Sequence, residues 1–184
     1  MAESRKIQLP LTAEDVQDLR AGDRVLLSGP MLTGRDAAHK RLVDLLTKGE
    51  SLPIDVEEET IYFVGPSPTK PGQIIGSCGP TTSYRMDPYS PQLIALGLRG
   101  MIGKGARGPE VVDAMKQHGA VYFTAVGGAA ALIARSVKSM EILAYEDLGP
   151  EAIRRLVVED FPVIVAQDAH GGNQYEEGIK EYSR

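Results

Sequence analysis

The stretch Met101-Ile-Gly-Lys-Gly-Ala-Arg-Gly-Pro-Glu-Val-Val-Asp-Ala-Met-Lys-Gln-His-Gly-Ala-Val-Tyr-Phe-Thr-Ala125 decides the fold class. It opens on the short apolar run Met101-Ile102 and passes through a loop with glycines at 103, 105 and 108. It then enters a segment bounded by Pro109 and Gly119. Proline suits the first helical position because its missing N–H would be unpaired there anyway, and glycine tolerates the left-handed backbone just past a helix. The spacing predicts a helix over Pro109 to His118 with Val112 and Met115 turned inward. Ala120 to Ala125 then has the β-branched and aromatic content of a buried strand. Strand, glycine loop, helix, strand is the repeating unit of an α/β fold.

Working outward, the same pattern recurs. Arg24 to Ser28 predicts a strand, and Asp36 to Lys48 predicts a helix with a stripe of Leu42, Leu45 and Leu46 that stops at Gly49. Thr33 with Asp36 three residues later reads as a capping box for that helix. Thr60 to Val64 predicts a strand, Gly65 to Gly72 a proline-rich loop, and Gln73 to Gly76 a further short strand. Beyond them come helices over Ser90 to Leu96 and Ala129 to Val137, a strand over Glu141 to Tyr145, a helix over Pro150 to Leu156 and a strand over Val163 to Ala166. Residues 1–22 read as a polar leader, and Asp168 to Arg184 as a polar tail that is peripheral or a partner-binding arm.

The chain has 184 residues, which fits one domain over 1–184. Hydrophobic residues make 42% and charged residues 24%, so a packed core is expected rather than disorder. The net charge of −5 argues against bulk attraction to nucleic acid or to an anionic membrane surface. No stretch approaches the roughly 18 uninterrupted apolar residues of a membrane span. With no signal-peptide pattern either, the expected location is the cytoplasm. One cysteine, Cys78, can form no internal disulfide and cannot supply the several thiolates of a zinc or iron–sulfur site.

Chemistry is expected in the loops that join strands to helices. The first places Arg35 at the opening of a helix, where backbone N–H groups and the helix dipole favour an anion. The alternative makes Arg35 a surface residue; His39, one turn on, reads as a packed histidine. The second loop, Gly76 to Asp87, carries the paired hydroxyls of Thr81 and Thr82 with Arg85 close behind, a set suited to hydrogen-bonding and neutralising a small oxyacid. Cys78 beside them reads as a small packed residue. The third, Gly103-Lys-Gly-Ala-Arg-Gly108, is a literal G-x-G-x-x-G, but no Asp or Glu occurs between Asp113 and Glu141 to hold a ribose. A cationic helix N-terminus with Lys104 and Arg107 around a carboxylate or phosphate explains it better. Gly127-Gly128 before Ala129-Ala130-Ala131 predicts close packing of the following helix against the sheet. No H-E-x-x-H, C-x-x-C or serine-nucleophile elbow is present. The residues alone thus give a cationic, hydroxyl-lined site for a small anion.

Thr33 to Arg41, Gly79-Pro-Thr-Thr-Ser-Tyr-Arg-Met-Asp87, Gly103-Lys104-Gly105 and Lys116 to Ala131 closely resemble the C-terminal domain of class I fumarate hydratases. The same pattern occurs in the β subunit of L-tartrate dehydratase, and the likeness runs from about Arg24 to Pro162 and beyond. The resemblance implies a swivelling β/β/α-type domain that works with a larger, mostly helical α subunit holding a [4Fe–4S] cluster, in a dimer of αβ pairs. It implies that Arg35, Arg85 and Lys104 bind the carboxylates of a small dicarboxylate substrate, and that Thr81 and Thr82 are the paired catalytic threonines. Ser83-Tyr84 departs from the smaller Ala-Gly often found there, which changes the packing near Arg85. The implied activity is the reversible hydration of fumarate to L-malate by a hydro-lyase β subunit. L-tartrate dehydration is the close alternative, and a small-anion binding or regulatory module is the alternative without catalysis.

Overall fold

The computed structural model describes residues 4–126 and 128–183. In chain order its elements are β1 (Arg5–Gln8), α1 (Ala13–Asp18), β2 (Arg24–Thr33), α2 (Asp36–Thr47) and β3 (Thr60–Tyr62). A 3-10 turn at Ser83–Met86 leads to α3 (Ser90–Ala95), β4 (Gly100–Gly103), α4 (Pro109–His118), β5 (Val121–Thr124) and α5 (Ala130–Ala134). Next are β6 (Val137–Ala144), a second 3-10 turn at Glu146–Glu151, β7 (Ile153–Gln167) and α6 (Gln174–Tyr182).

The sheet order is β1-β2-β3-β4-β5-β7-β6, and β2 also pairs with β7. Strands β2 to β5 are parallel, while β7 runs antiparallel to both β5 and β2. The sheet therefore closes on itself as a small barrel of β2, β3, β4, β5 and β7, with β1 and β6 on its flanks. The 15 residues of β7 make this closure possible. Its first half lies between β6 and β2, and its last residues turn along β5.

The residues of β3, β4 and β5 are buried on both faces, as parallel strands covered by helices must be. Along β3 and just beyond, Tyr62 and Val64 enter the barrel core with Leu27, Met31, Phe123, Phe161 and Val165. Their neighbours Ile61 and Phe63 face outward into a second cluster with Leu42 of α2, Leu93 of α3 and Met115 of α4. Each large side chain so buried contributes about 1.5–3 kcal/mol.

The α/β class holds, and α2, α3, α4, β4 and β5 fall where the sequence puts them. Helix α4 matches at both ends, with Gly119 in the left-handed region at φ 72°; its buried face carries Val111 and Met115 rather than Val112. Several expectations fail. Residues 5–19 are not merely a polar leader: β1 joins the sheet, and Leu9, Leu11, Val16 and Leu19 enter the barrel core. Strand β2 runs on through Gly29-Pro30 to Thr33, so Thr33 caps nothing; its hydroxyl instead lies 3.4 Å from the Ala152 carbonyl it faces as donor and accepts from the Arg154 N–H.

Gln73 to Gly76 is not a strand. The loop ties to itself, Ser67 N–H donating to Ser77 O and Ser77 N–H to Ser67 Oγ. The expected helix over Pro150 to Leu156 is the second 3-10 turn followed by β7, and the helix expected to end at Val137 stops at Ala134 so that β6 begins there. Both segments alternate apolar residues ambiguously; β7 is bonded by β6 and β2 on its two sides, and β6 pairs with β7 at the sheet edge. In the tail, Asp168 accepts from the N–H groups of Ala21, His170 and Gly172, and α6 follows. Met1 to Glu3, Gly127 and Arg184 lie outside the described residues. Gly128 adopts φ +85° with open space where a Cβ would stand, so backbone conformation and not close packing calls for glycine there.

Candidate functional site

Because β2 to β5 are parallel, their carboxyl ends share one edge, and the loops leaving that edge carry the candidate residues. Gly34-Arg35 follows β2, the long loop to Thr81-Thr82 follows β3, and Lys104 follows β4. Thr82 and Lys104 pair as an isolated parallel bridge. Ser83 N–H donates to Lys104 O at 2.9 Å, and Lys104 N–H lies 3.2 Å from Thr81 O. The threonine pair and the lysine are thus one hydrogen-bonded unit. Arg85 leaves the first 3-10 turn and donates from Nε to Asp36 Oδ1 at 2.8 Å, which ties it to the start of α2 next to Arg35.

Arg35 is the N-cap residue of α2 rather than a residue of its first turn. Its Nη2 lies 3.6 Å from Glu151 and its Nε 3.9 Å from Asp36. Gly65 gives it room, since a Cβ there would stand 2.7 Å from Arg35 Nη1. The anion expected at this helix N-terminus is internal: Glu151 Oε2 accepts from Ala37 N–H at 3.0 Å. Arg154 holds the Glu151 turn by donating to the carbonyls of Gly149, Pro150 and Ala152. Two arginines therefore face carboxylates of their own chain. Lys104 is exposed and has no carboxylate within 4.0 Å among the described residues. Thr81 and Thr82 are half-buried.

Arg107 is a correction. Its side chain is 0% exposed, donates from Nε to Asp87 at 2.6 Å and from Nη2 to Ser90 Oγ, and lies over the rings of Phe63 and Tyr122. A guanidinium so enclosed cannot meet a ligand; it joins the loop of Lys104 to the turn of Arg85. Asp87 also accepts from Gly108 N–H, completing the brace.

His39 and Cys78 are packed residues, as read from the sequence. Burial lowers His39 to about 4, so the imidazole is neutral, and its Nδ1 donates to Arg35 O at 2.9 Å. Burial pushes the Cys78 thiol up to about 11, and Tyr62 holds its carbonyl. Among the described residues no group of three His, Cys, Asp or Glu side chains could hold a metal ion. None of their helices is long and apolar enough to cross a membrane.

Sequence reasoning missed Asp36, Glu151, Ser83 and Tyr122 as partners of the site. Asp36 adjoins Arg35 and could have been noticed; nothing local marks Glu151, whose approach depends on β7 returning beside β2. A cleft of about 490 Å³ lies elsewhere, lined by residues 72–77 with Ala131, Ala134, Arg135 and Val137, and none of the five candidate residues lines it. The backbone bridge between Thr82 and Lys104 and the Asp36 tie on Arg85 bring cations and hydroxyls together, a set that suits hydrogen-bonding a carboxylate.

Comparison with known proteins supports the same direction. The family model described as Fumarase C-terminus matches residues 1–178. Over 156 residues the chain is 42% identical to the aerobic class I fumarate hydratase of Escherichia coli K12, covering 84% of this chain and 28% of that protein. It is 39% identical over 156 residues to fumarate hydratase 2 of Leishmania major, again covering 28% of that protein. It is 41% identical over 177 residues to a Methanocaldococcus jannaschii protein named "Putative L(+)-tartrate dehydratase subunit beta", covering 93% of this chain and 91% of that one. The chain thus spans under a third of the fumarate hydratases and nearly all of the subunit-sized relative.

Proposed function

The chain belongs to the Fumarase C-terminus family, and from that premise we propose that it is the β subunit of a two-subunit, iron–sulfur-dependent hydro-lyase, a cytoplasmic fumarate hydratase. In this reading the 184 residues act as one domain against a larger α subunit. The observation that carries it is the bridge between Thr82 and Lys104, together with the Asp36 tie on Arg85, which gathers three cations and two hydroxyls at one strand edge.

The cluster does not fit this chain. Cys78 is the single cysteine, fully buried and with its thiol held protonated, so it offers no thiolate. A cluster would sit on the α subunit.

A dicarboxylate brings two charges to Arg35, Arg85 and Lys104, which would displace Glu151 and Asp36 as their partners. Removing a proton from the carbon beside a carboxylate moves further negative charge onto that carboxylate. Cations already in place stabilise that state more than the ground state, and the barrier falls accordingly. Thr81 is the proposed proton acceptor, with Thr82 beside it. A threonine hydroxyl serves as a base only when nearby cations stabilise its alkoxide, and Lys104, whose backbone is bonded to that of the threonine segment, is the proposed cation.

Co-expression with a cysteine-bearing α subunit should give anaerobic hydration of fumarate that disappears when iron is chelated. An active complex that retains full turnover without iron would overturn the proposal. The subunit-sized relative favours one rival, L-tartrate dehydration. Relative kcat/KM for fumarate, L-malate and L-tartrate on the same complex separates the two.

A further inference from the structure

The exposed side chain of Lys104 lacks any carboxylate partner among the described residues, so its own backbone must fix where the ammonium starts. That backbone is held by an unusual circuit. Lys104 N–H donates to Ser83 Oγ at 3.1 Å. The Ser83 hydroxyl is 2.8 Å from the Tyr122 hydroxyl, and Tyr122 O–H donates to Gly105 O at 2.7 Å. Since the Tyr122 proton goes to Gly105, Ser83 must donate to Tyr122. The circuit leaves the loop at the Lys104 N–H and returns to it at the Gly105 carbonyl.

Both hydroxyls in it are buried, Ser83 and Tyr122 being 0% exposed. Burial also raises the Tyr122 phenol, which keeps it a donor. Two further features brace the circuit. A Cβ at Gly103 would collide with Ser83 Oγ, so glycine there admits the serine. The Arg107 guanidinium lies 5.2 Å from the centre of the Tyr122 ring and is itself anchored to Asp87.

We propose that Tyr122 and Ser83 are positioning residues for the hydro-lyase reaction: their hydroxyls lock the Lys104-Gly105 backbone onto the Thr81-Thr82 segment, so that the lysine ammonium and the threonine hydroxyls meet the substrate in fixed register. This rests on the proposed hydro-lyase reading. Neither residue touches substrate; each acts through Lys104. A buried circuit of this kind is worth having because each member left alone would be an unpaired polar group in the core. Misplacing a catalytic group by about 1 Å can cost on the order of 100-fold in rate.

The test uses Tyr122→Phe and Ser83→Ala, each as the full chain and in complex with the α subunit. Deuterium exchange of the peptide spanning 102–106 should accelerate in both variants, while the melting temperature stays within a few degrees of the parent. In the complex each should lose about tenfold in kcat/KM. That loss should fall below about twofold when the same change is made in a Lys104→Met background, because residues acting through one group are not additive. Unchanged exchange at 102–106, or an equal loss in the Lys104→Met background, overturns the proposal. If Tyr122→Phe fails to fold, Ser83→Ala, which only removes an oxygen, decides alone. An inactive parent complex would count against the hydro-lyase reading, whereas the exchange measurement still judges the circuit.

Discussion

Arg85 is 44% exposed at its side chain and is held by one carboxylate, Asp36, so its removal takes a charge from the site without opening the core. Arg85→Ala should therefore lower kcat/KM of the complex by about 100-fold or more, near 3 kcal/mol of transition-state stabilisation. The melting temperature should barely move, and a large fall would make Arg85 structural instead. His39 reports a different physics. Its pKa is lowered from 6.5 to about 4 by burial, so the unfolded chain binds a proton more readily in that window. Stability from this group is full above about pH 6.5 and is lost as pH falls through about 4, up to about 3 kcal/mol in all. Denaturant unfolding at pH 7 and pH 4.5 should show that loss in the parent and a smaller one in His39→Leu. At this scale the sequence is informative: Arg35, Thr81, Thr82, Arg85 and Lys104 stand out as cations and hydroxyls in glycine-shaped loops. Arg107 stands out equally and is no ligand contact, because only packing reveals that Asp87, Ser90 and two rings enclose it.

Helix α4 is legible to its ends because Pro109 and Gly119 punctuate it chemically. Strand β7 is not. Ile153-Arg-Arg-Leu-Val-Val158 carries apolar residues that satisfy a short helical pattern as well as a strand, and what decides is the supply of neighbours. Strands β6 and β2 bond it on both sides, and no local signal announces them. The loop after β4 and the turn before α3 hold together through the buried Arg107–Asp87 pair. Breaking such a pair leaves a buried charge uncompensated, so Asp87→Ala should cost about 3–5 kcal/mol, read as a lower denaturation midpoint. It should also slow turnover, since Lys104 and Arg85 flank the brace. A stability change under about 1 kcal/mol would mean that water reaches Arg107.

The chain holds two site arginines against its own carboxylates, Glu151 on Arg35 and Asp36 on Arg85. Isolated, it should bind malate or fumarate only weakly, because a ligand must displace those partners without a second wall to exclude water. Calorimetric titration should show little heat for the chain alone and clear saturation for the complex; tight binding to the chain alone would instead support the small-anion module. By itself the sequence determined the α/β class, the two best-punctuated helices and the loop motifs that carry the likeness to the family. Those follow from local chemistry, namely caps, periodicity and loop composition. Closure of the sheet through β7, the entry of residues 5–19 into the core, the burial of Arg107, and the Ser83–Tyr122 circuit were decided only by tertiary structure. Each depends on segments far apart in the chain competing for the same backbone hydrogen bonds and the same buried volume, and no short stretch of sequence records who wins.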